Sequence, residues 1–454
     1  MYATSSPPVK RRSEVEKACR HLGRDRLFSS TTAHPRWWRP FCKTGVSFPG
    51  HSGTVADRIA SITDSTPKER VSMRFLRKAL LLGLATWVGC VGAADVGVTD
   101  TSIAIGMTVP LSGPNGAYGT DMKDVIGAYF KQVNDTGGIN GRKLELIAMD
   151  DGYETDRAVA NTKALINDKK VFALVASYGS SPTIAAMNDA FGPARVPLIG
   201  TISGADAIRQ SPKDNPNNRY MFNVRASYAN ETEAIVNQLV GLGLKNIAVF
   251  YQNDGFGKSG LDGVVAALKK HNQTPSAVAT VERNSLDVAQ AVQAMAKANP
   301  QAVIMVTLYK PTAAFVQQMK KANQHPQLMT LSPVGADLLA NELGDDARGI
   351  GISQVMPYPW NDTTPMVREY QKLLGKQGKF SYYGIEAYAM AKVLVDALRK
   401  SGGKDLSREK LVSTLESMQN HDLGGYRVSY SASDRLGSRY VDLSVIGNGG
   451  RVLR

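Results

Sequence analysis

Short apolar runs alternate with amphipathic segments along the chain from residue 102 onward. The runs SIAIGMTVP, KLELIAMDD, VFALVAS and VPLIGT are rich in β-branched residues, and a stretch with helical spacing follows each of the first three. Continuous apolar strands separated by helices are typical of parallel sheets that are covered on both faces. The pattern therefore predicts an α/β protein built from doubly wound, mostly parallel sheets.

The alternation pauses twice, at 211–224 (SPKDNPNNRYMFNV) and at 349–362 (GIGISQVMPYPWND). Between the pauses it resumes with the strands NIAVFYQ, AVIMVTL and QLMTLS and the helices that separate them. After residue 423 the sequence alternates in the manner of antiparallel strands. We therefore expect two α/β units of similar size joined by extended segments.

A signal-peptide pattern begins at Met73, with MRFLRKALLLGLATWVGCVGAAD. A basic start, a short apolar run and closing small residues predict a signal peptide at 73–94, cleaved after Ala93 or Ala94, and export to the periplasm. The apolar run is too short for a comfortable membrane span. Residues 1–72 are then either an over-called start or a disordered extension.

The basic charge lies mainly in the same leading segment. The whole chain carries a formal net charge of +14, but residues 95–454 hold 38 Lys and Arg against 34 Asp and Glu. Such a balance does not favour a nucleic-acid partner. Cys19, Cys42 and Cys90 all precede the cleavage point, so no disulfide is expected in the mature chain. Cys90 could carry a lipid, although Trp87 stands where a lipoprotein signal prefers a small aliphatic residue.

Two glycine-rich loops resemble nucleotide-binding motifs without matching them. PLSGPNGAYG spaces its glycines as G-x-x-G-x-x-G, not as the G-x-G-x-x-G of dinucleotide-binding folds. DGFGKSG has the Gly-Lys-Ser of a phosphate loop, but Gln252 occupies the place of its first glycine. We expect no nucleotide cofactor.

Catalytic and metal-binding patterns are not found after residue 94. The histidines there are His271, His325 and His421, and no His or Cys pair has the spacing of a metal site. No G-x-S-x-G nucleophile motif occurs either. The sequence therefore predicts a protein that is not an enzyme and that holds neither a metal nor a cofactor.

Several longer motifs carry a family resemblance that covers about 340 residues: IGMTVPLSGPNGAYG, NDTGGINGRKLELIAMDD, NDGFGKSG, ISQVMPYPW and FSYYGIEAYAMAKVLVDAL. In their residues and in their order along the chain, these motifs resemble those of type I periplasmic solute-binding proteins of the leucine/isoleucine/valine-binding family, which feed ATP-driven (ABC) importers. The resemblance implies a ligand cleft between two hinged lobes. One lobe would combine 95–222 with 357–438, and the other 223–356 with 439–454.

The resemblance also implies ligand-binding residues at the ends of the strands. Tyr118, presented by the first glycine-rich turn, would lie against the ligand's side chain, unless its ring packs only on its own lobe. Ser181 would bind a carboxylate, although before Pro182 it also has the form of a helix N-cap. Asp254 could likewise only cap its helix. The full set of expected ligand-binding residues is Tyr118, Tyr178, Ser180, Ser181, Ser203, Gly204, Asp254, Phe256, Tyr309, Phe380 and Tyr382.

One position departs from the resembled family. Amino-acid binders place a glutamate after the strand that reads here as QLMTLS, where it pairs with the ligand's ammonium group; this sequence has Val334. Asp254, Asp337 or Glu386 could substitute, since a buried cation needs an opposite charge. Otherwise the ligand is a small carboxylate without an amine, such as an aromatic acid.

These features predict the binding component of an importer. It would capture a small carboxylate-bearing solute, an amino acid or a related organic or aromatic acid, and deliver it to a membrane permease. We expect it to act as a monomer. The alternative is the ligand-sensing module of a signalling system built on the same fold.

Overall fold

A computed structural model describes residues 95–402 and 405–454 of the chain. The predicted signal peptide, the segment 1–72 and Cys90 lie outside the described residues. Within the described ranges, no helix combines the length and the apolar character that a membrane crossing requires.

The first sheet consists of five parallel strands in the order β2-β1-β3-β4-β5. Two of its inner strands, β3 and β4, are completely buried, because helices cover both faces. The strands are β1 Ser102–Val109, β2 Lys143–Asp150, β3 Ala173–Tyr178, β4 Leu198–Ile202 and β5 Met221–Phe222. The helices between them are α1 Gly116–Asp135, α2 Thr155–Asn167 and α3 Ser180–Ala186.

The second sheet has seven strands in the order β14-β13-β10-β9-β8-β6-β7. Five of them are parallel, and β13 runs antiparallel to both of its neighbours, as the C-terminal alternation predicts. The strands are β6 Ile247–Gln252, β7 Val278–Val281, β8 Ala302–Val306, β9 Gln327–Thr330, β10 Gly351–Gln354, β13 Asp442–Ile446 and β14 Val452–Leu453. The helices are α4 Tyr228–Gly241, α5 Gly255–Lys270, α6 Ala289–Ala298, α7 Tyr309–Lys321 and α8 Ala336–Leu343.

Three later helices return to the first sheet: α9 Pro365–Leu374, α10 Tyr382–Ser401 and α11 Arg408–Glu416. A two-stranded hairpin follows them, formed by β11 His421–Asp422 and β12 Arg427–Val428. The helix α10 is buried along most of its length between α1 and the strands β3 and β4. We call the first sheet with α1–α3 and α9–α11 lobe 1, and the second sheet with α4–α8 lobe 2.

The chain passes between the lobes three times, after β5, after β10 and before β13. Two of these crossings are hydrogen-bonded to each other: the Asn223 amide donates to the Arg435 carbonyl at 3.0 Å, and the Ser438 amide donates to the Val224 carbonyl at 3.2 Å. The predicted fold class, two α/β lobes joined by extended segments, is confirmed.

Gly437 allows two of the crossings to approach closely. Its φ is +74°, and a Cβ added there would lie 2.1 Å from the Asn223 carbonyl oxygen. A side chain at this position would therefore be strained both by the backbone conformation and by the neighbouring strand.

Replacing Gly437 by alanine is expected to lower the free energy of unfolding by about 3 kcal/mol or more, measured by urea denaturation. Gly449→Ala is the matched control, since Gly449 lies in the left-handed region with φ +64° and ψ 28° and has no atom near the added Cβ. The control should lose only about 1 to 2 kcal/mol in the free energy of unfolding, because the added methyl group strains its backbone conformation but meets no neighbouring strand. Equal losses in the two variants would contradict the close crossing.

Candidate functional site

The two lobes meet at the carboxyl ends of their parallel strands, the edge at which α/β sheets usually bind ligands. Hydrogen bonds cross the cleft there. The Gly255 amide of lobe 2 donates to the Ser181 hydroxyl of lobe 1 at 3.0 Å, and the Gln252 side-chain amide donates to the Tyr153 hydroxyl at 3.1 Å. The Arg283 guanidinium of lobe 2 donates to the Thr155 hydroxyl at 2.8 Å. The structure therefore shows the lobes closed on each other.

Five buried tyrosines fill the centre of this cleft. The ring of Tyr118 stacks 5.4 Å from that of Tyr178 and lies 4.6 Å from that of Tyr383. Tyr309, from lobe 2, meets Tyr118 edge-on at 5.5 Å, and Tyr153 meets Tyr178 edge-on at 5.3 Å. We refer to these five residues as the tyrosine cluster. In this cluster, aromatic rings and hydroxyl groups from both lobes lie in contact with one another.

The Tyr118 hydroxyl connects the lobes directly. It donates to the Val334 carbonyl at 2.7 Å and accepts from the Tyr309 amide at 3.2 Å. Burial raises the pKa of Tyr118 well above its ordinary value, so the hydroxyl keeps its proton and can donate. Gly335 makes room for this ring, because a Cβ there would lie 2.9 Å from the Tyr118 side chain. Tyr118 thus does not pack only on its own lobe.

Serine hydroxyls line the lobe 1 side of the cleft. The Ser180 and Ser203 hydroxyls lie 2.8 Å apart, and the Tyr228 hydroxyl lies 3.4 Å from Ser180. The prediction that Ser181 caps α3 is wrong: the helix begins at Ser180, Gly179 holds the N-cap position, and no side chain caps it. The Ser181 hydroxyl instead accepts the Gly255 amide from the other lobe.

Two other predicted residues, Phe256 and Gly204, lie beside Tyr228 at the start of α4, and Asp254 stands at the start of α5. The Phe256 ring packs 5.2 Å from the Tyr228 ring, and the Gly204 carbonyl accepts the Tyr228 amide at 2.9 Å. Asp254 acts as the N-cap of α5, since its carboxylate accepts the amides of Phe256 at 2.9 Å and Gly257 at 3.2 Å. The second oxygen of Asp254 accepts from the Gln252 side chain.

Phe380 and Tyr382 do not join the tyrosine cluster. The Phe380 ring packs against Tyr370 at 5.9 Å, and Tyr382 packs against Trp360 at 5.5 Å. Consecutive helical residues point about 100° apart, so only one of two neighbours can face the cleft. At the start of α10 that residue is Tyr383, whose hydroxyl donates to the Pro333 carbonyl at 2.7 Å.

Sequence reasoning also missed Tyr153, Gln252 and Arg225. Tyr153 and Gln252 stand at the ends of β2 and β6, and Arg225 stands in the crossing after β5, all in places where chain enters the cleft. Their positions near strand ends and in a crossing are the sequence features that could have identified them as cleft residues. For all the residues named here, contact with a ligand stays a prediction.

A buried charge cluster lies at the inner end of the cleft, where Arg225 crosses between the lobes. Its guanidinium donates to Glu231 of lobe 2 at 2.6 Å and lies 3.6 Å from the Glu386 carboxylate of lobe 1. Glu231 also accepts the Ser332 amide at 2.9 Å and the Ser353 hydroxyl at 2.7 Å. One arginine thus neutralises carboxylates from both lobes.

An interlobe cavity of about 130 Å³ adjoins the tyrosine cluster. Pro114 and Asn115 of lobe 1 line it together with Leu308 and Lys310 of lobe 2. The cavity lies beside the cluster, since the Tyr309 hydroxyl donates to the Pro114 carbonyl at 3.1 Å. Among the described residues, no group of three or more His, Cys, Asp and Glu side chains is placed to hold a metal ion.

Removing Arg225 should destabilise the protein more strongly at higher pH. Arg225→Met leaves Glu231 and Glu386 without their cation, and we expect a loss of about 3 to 5 kcal/mol in the free energy of unfolding. Burial raises the pKa of Glu386 to about 7, and Arg225 opposes that rise. The folded variant would therefore hold a proton that the unfolded chain releases, and its stability would fall as the pH increases from about 6 to about 8.

Urea denaturation at both pH values measures this effect. Lys270→Met serves as the control, because Lys270 forms an exposed ion pair with Glu233, and its change should stay within about 0.5 kcal/mol. If Arg225→Met loses no more free energy of unfolding than Lys270→Met does, Arg225 does not neutralise buried carboxylates in this cluster.

Comparisons with known proteins agree with this architecture. The family model described as "Periplasmic binding protein" matches residues 102–451. An amino acid binding protein of Pseudomonas aeruginosa is 24% identical over 275 residues, which are 60% of this chain and 71% of the relative.

Two solved structures are similar over nearly their whole length. A substrate-binding periplasmic protein from Ralstonia solanacearum is 30% identical with a TM-score of 0.72, covering 78% of this chain and 99% of its own. A possible leucine/isoleucine/valine-binding protein from Rhodopirellula baltica is 31% identical with a TM-score of 0.72, covering 80% of this chain and 98% of its own. The chain therefore belongs to the periplasmic binding protein family, as a type I protein of its branched-chain amino acid binding branch.

Proposed function

We propose that this protein captures a small carboxylate-bearing solute, an amino acid or a related organic acid, in its interlobe cleft and delivers it to the permease of an ABC importer. Membership of the family implies a periplasmic or extracellular location. The relative from P. aeruginosa is named an amino acid binding protein. That name is consistent with the proposed class of solute.

The observation that most strongly supports this function is that tyrosine rings and serine hydroxyls converge from loops that follow several strands. Aromatic faces such as those of Tyr118 and Tyr178 suit the apolar part of a small solute. The hydroxyls of Ser180, Ser181 and Ser203 are donors that suit a carboxylate. An apolar wall with a few convergent polar groups is the usual composition of a small-molecule site.

The contacts between the lobes provide the change of state that delivery needs. Hydrogen bonds from Gly255 to Ser181 and from Tyr309 to Tyr118 exist only while the lobes touch. A solute that contacts both lobes binds the closed form more tightly and shifts the population toward it. The permease would then recognise a surface that only the closed protein displays.

Truncating two cleft residues should weaken solute binding and leave the fold intact. We expect Tyr118→Ala to reduce the affinity by about tenfold to a hundredfold, because it removes an aromatic face and the interlobe hydrogen bonds. Ser181→Ala should cost about tenfold, because it removes one polar partner. Calorimetric titration of the purified protein, freed of bound solute by unfolding and refolding, measures both values.

Matched controls are Tyr129→Ala and Ser433→Ala, since neither residue lies in the cleft; Tyr129 packs on Tyr388 between α1 and α10, and Ser433 is exposed. Both controls should keep the parent affinity. Circular dichroism should show the same folded content in all four variants. Unchanged affinity in both cleft variants would rule out this site.

A further inference from the structure

Glu386 lies one turn along α10 from the cleft-lining Tyr383, on the same face of the helix. The residue is only 5% exposed. Its Oε1 atom has no hydrogen-bond partner, and the nearest cation, Nη1 of Arg225, lies 3.6 Å away. That separation is too long for a hydrogen bond, so this carboxylate is buried with free accepting capacity.

Other polar atoms around Glu386 are unpartnered as well. Nη1 and Nε of Arg225, whose guanidinium faces Glu386, are buried without hydrogen-bond partners. Folded proteins leave few such groups, and each of them costs free energy unless a partner arrives. Two neighbouring residues, Arg225 and Glu386, thus carry unused polar atoms and point to a polar group that binds beside them.

These residues surround the inner end of the cleft. The Arg225 guanidinium lies 5.7 Å from the Tyr228 ring, and the Tyr228 hydroxyl lies 3.4 Å from Ser180. On the other side, the ring of Tyr383 lies 6.2 Å from that of Tyr178. Glu386 is thus connected to the serine side of the cleft through Arg225 and to the tyrosine cluster through Tyr383 on its own helix.

The other acidic side chains near the cleft are already engaged. Asp254 caps α5, as described above. Asp337 pairs with Lys379 at 3.3 Å, and Asp121 accepts the Ser381 hydroxyl. Glu231 uses both oxygens on partners of its own. Among the described residues, Glu386 alone has a buried carboxylate oxygen without a hydrogen bond.

We propose that Glu386 accepts the ammonium group of an amino-acid ligand, which makes it the residue that selects amino acids over amine-free acids. This inference rests on the proposed solute-binding function. The surrounding charges support it, since Arg225 and Arg209 balance Glu231 and an ionised Glu386. A zwitterionic amino acid keeps that balance, whereas an amine-free carboxylate adds an unmatched negative charge.

Binding of the ammonium group would be coupled to proton release. Burial raises the pKa of Glu386 to about 7, with Arg225 and Arg209 opposing the rise and Glu231 adding to it. Tyr383 and Tyr426 also face this carboxyl group, and burial raises the pKa of each, so both stay neutral. The ammonium group needs the ionised form of Glu386. Affinity should therefore rise with pH, by up to about tenfold per unit below pH 7, and then level off.

The test is calorimetric titration of the purified protein with three matched pairs of probes. L-valine is paired with isovalerate, L-leucine with isocaproate, and L-phenylalanine with hydrocinnamate. Each pair differs mainly in the amino group. Titrations between about pH 6 and pH 8, in two buffers of different ionisation enthalpy, also count the protons released.

The variants are Glu386→Gln and, as a matched control, Glu233→Gln, because Glu233 is exposed on the outer side of α4 beside Lys270. Glu386→Gln resembles the protonated carboxyl and should fold normally at about pH 6. We expect it to lose about a hundredfold or more in affinity for the amino acids and to lose the pH dependence. The control Glu233→Gln should keep the parent affinity for the amino acids and its pH dependence.

Preference for the amino acids, with proton release and loss in Glu386→Gln, would support the proposal. Equal affinity for the amine-free acids, or amino-acid binding unchanged in Glu386→Gln, would overturn it and leave the solute-binding function standing. If the variant does not fold, the native protein decides, and amino-acid binding without proton release below pH 7 overturns the proposal. Binding of none of the six probes would contradict both this inference and the proposed function.

Discussion

The buried guanidinium of Arg225 is the constraint around which the two lobes are arranged. A charge removed from water must be paired, and Arg225 meets that requirement with carboxylates from both lobes, Glu231 and Glu386. Because Glu231 also holds the Ser332 amide and the Ser353 hydroxyl, the arginine fixes the loop that follows β9 and the strand β10. The polar inner wall of the cleft is a consequence of this arrangement.

The tyrosine cluster gives the same cleft its apolar surface. Three of the five tyrosines place a ring against a neighbour and still donate to a backbone carbonyl with the hydroxyl: Tyr118 to Val334, Tyr309 to Pro114 and Tyr383 to Pro333. The ring faces and the hydroxyl bonds therefore act at different ends of one side chain. A site of this kind can contact the body of a solute and at the same time hold the lobes together.

The sequence predicts the fold well because the fold depends on local patterns. Apolar runs with helical segments between them specify parallel strands, and the two pauses correspond to crossings between the lobes. The place of Tyr118 at the cleft follows from the family resemblance that its glycine-rich turn carries, and its hydrogen bonds to the other lobe are found there. The placement of Ser181 at the cleft follows in the same way, although its role as a helix cap does not.

The remaining site residues depend on contacts that no local pattern encodes. Tyr383 differs from Tyr382 only by the rotation of α10, which its packing against α1 determines. Arg225 and Glu386 are far apart in sequence, and their meeting requires that the lobes be assembled. Asp254 carries the charge that a ligand site could use, but its backbone neighbours take that charge as a cap. Tertiary approach, rather than residue type, decides these positions.

Hydrogen exchange at the amides of Gly255 and Tyr309 tests the account most directly, because both amides donate across the cleft to side chains of the other lobe. Exchange would be followed with and without a saturating solute from the amino-acid panel. The account predicts that the bound solute slows exchange at both amides, since it holds the lobes closed. Equal exchange with and without a tightly bound solute would contradict binding between the lobes.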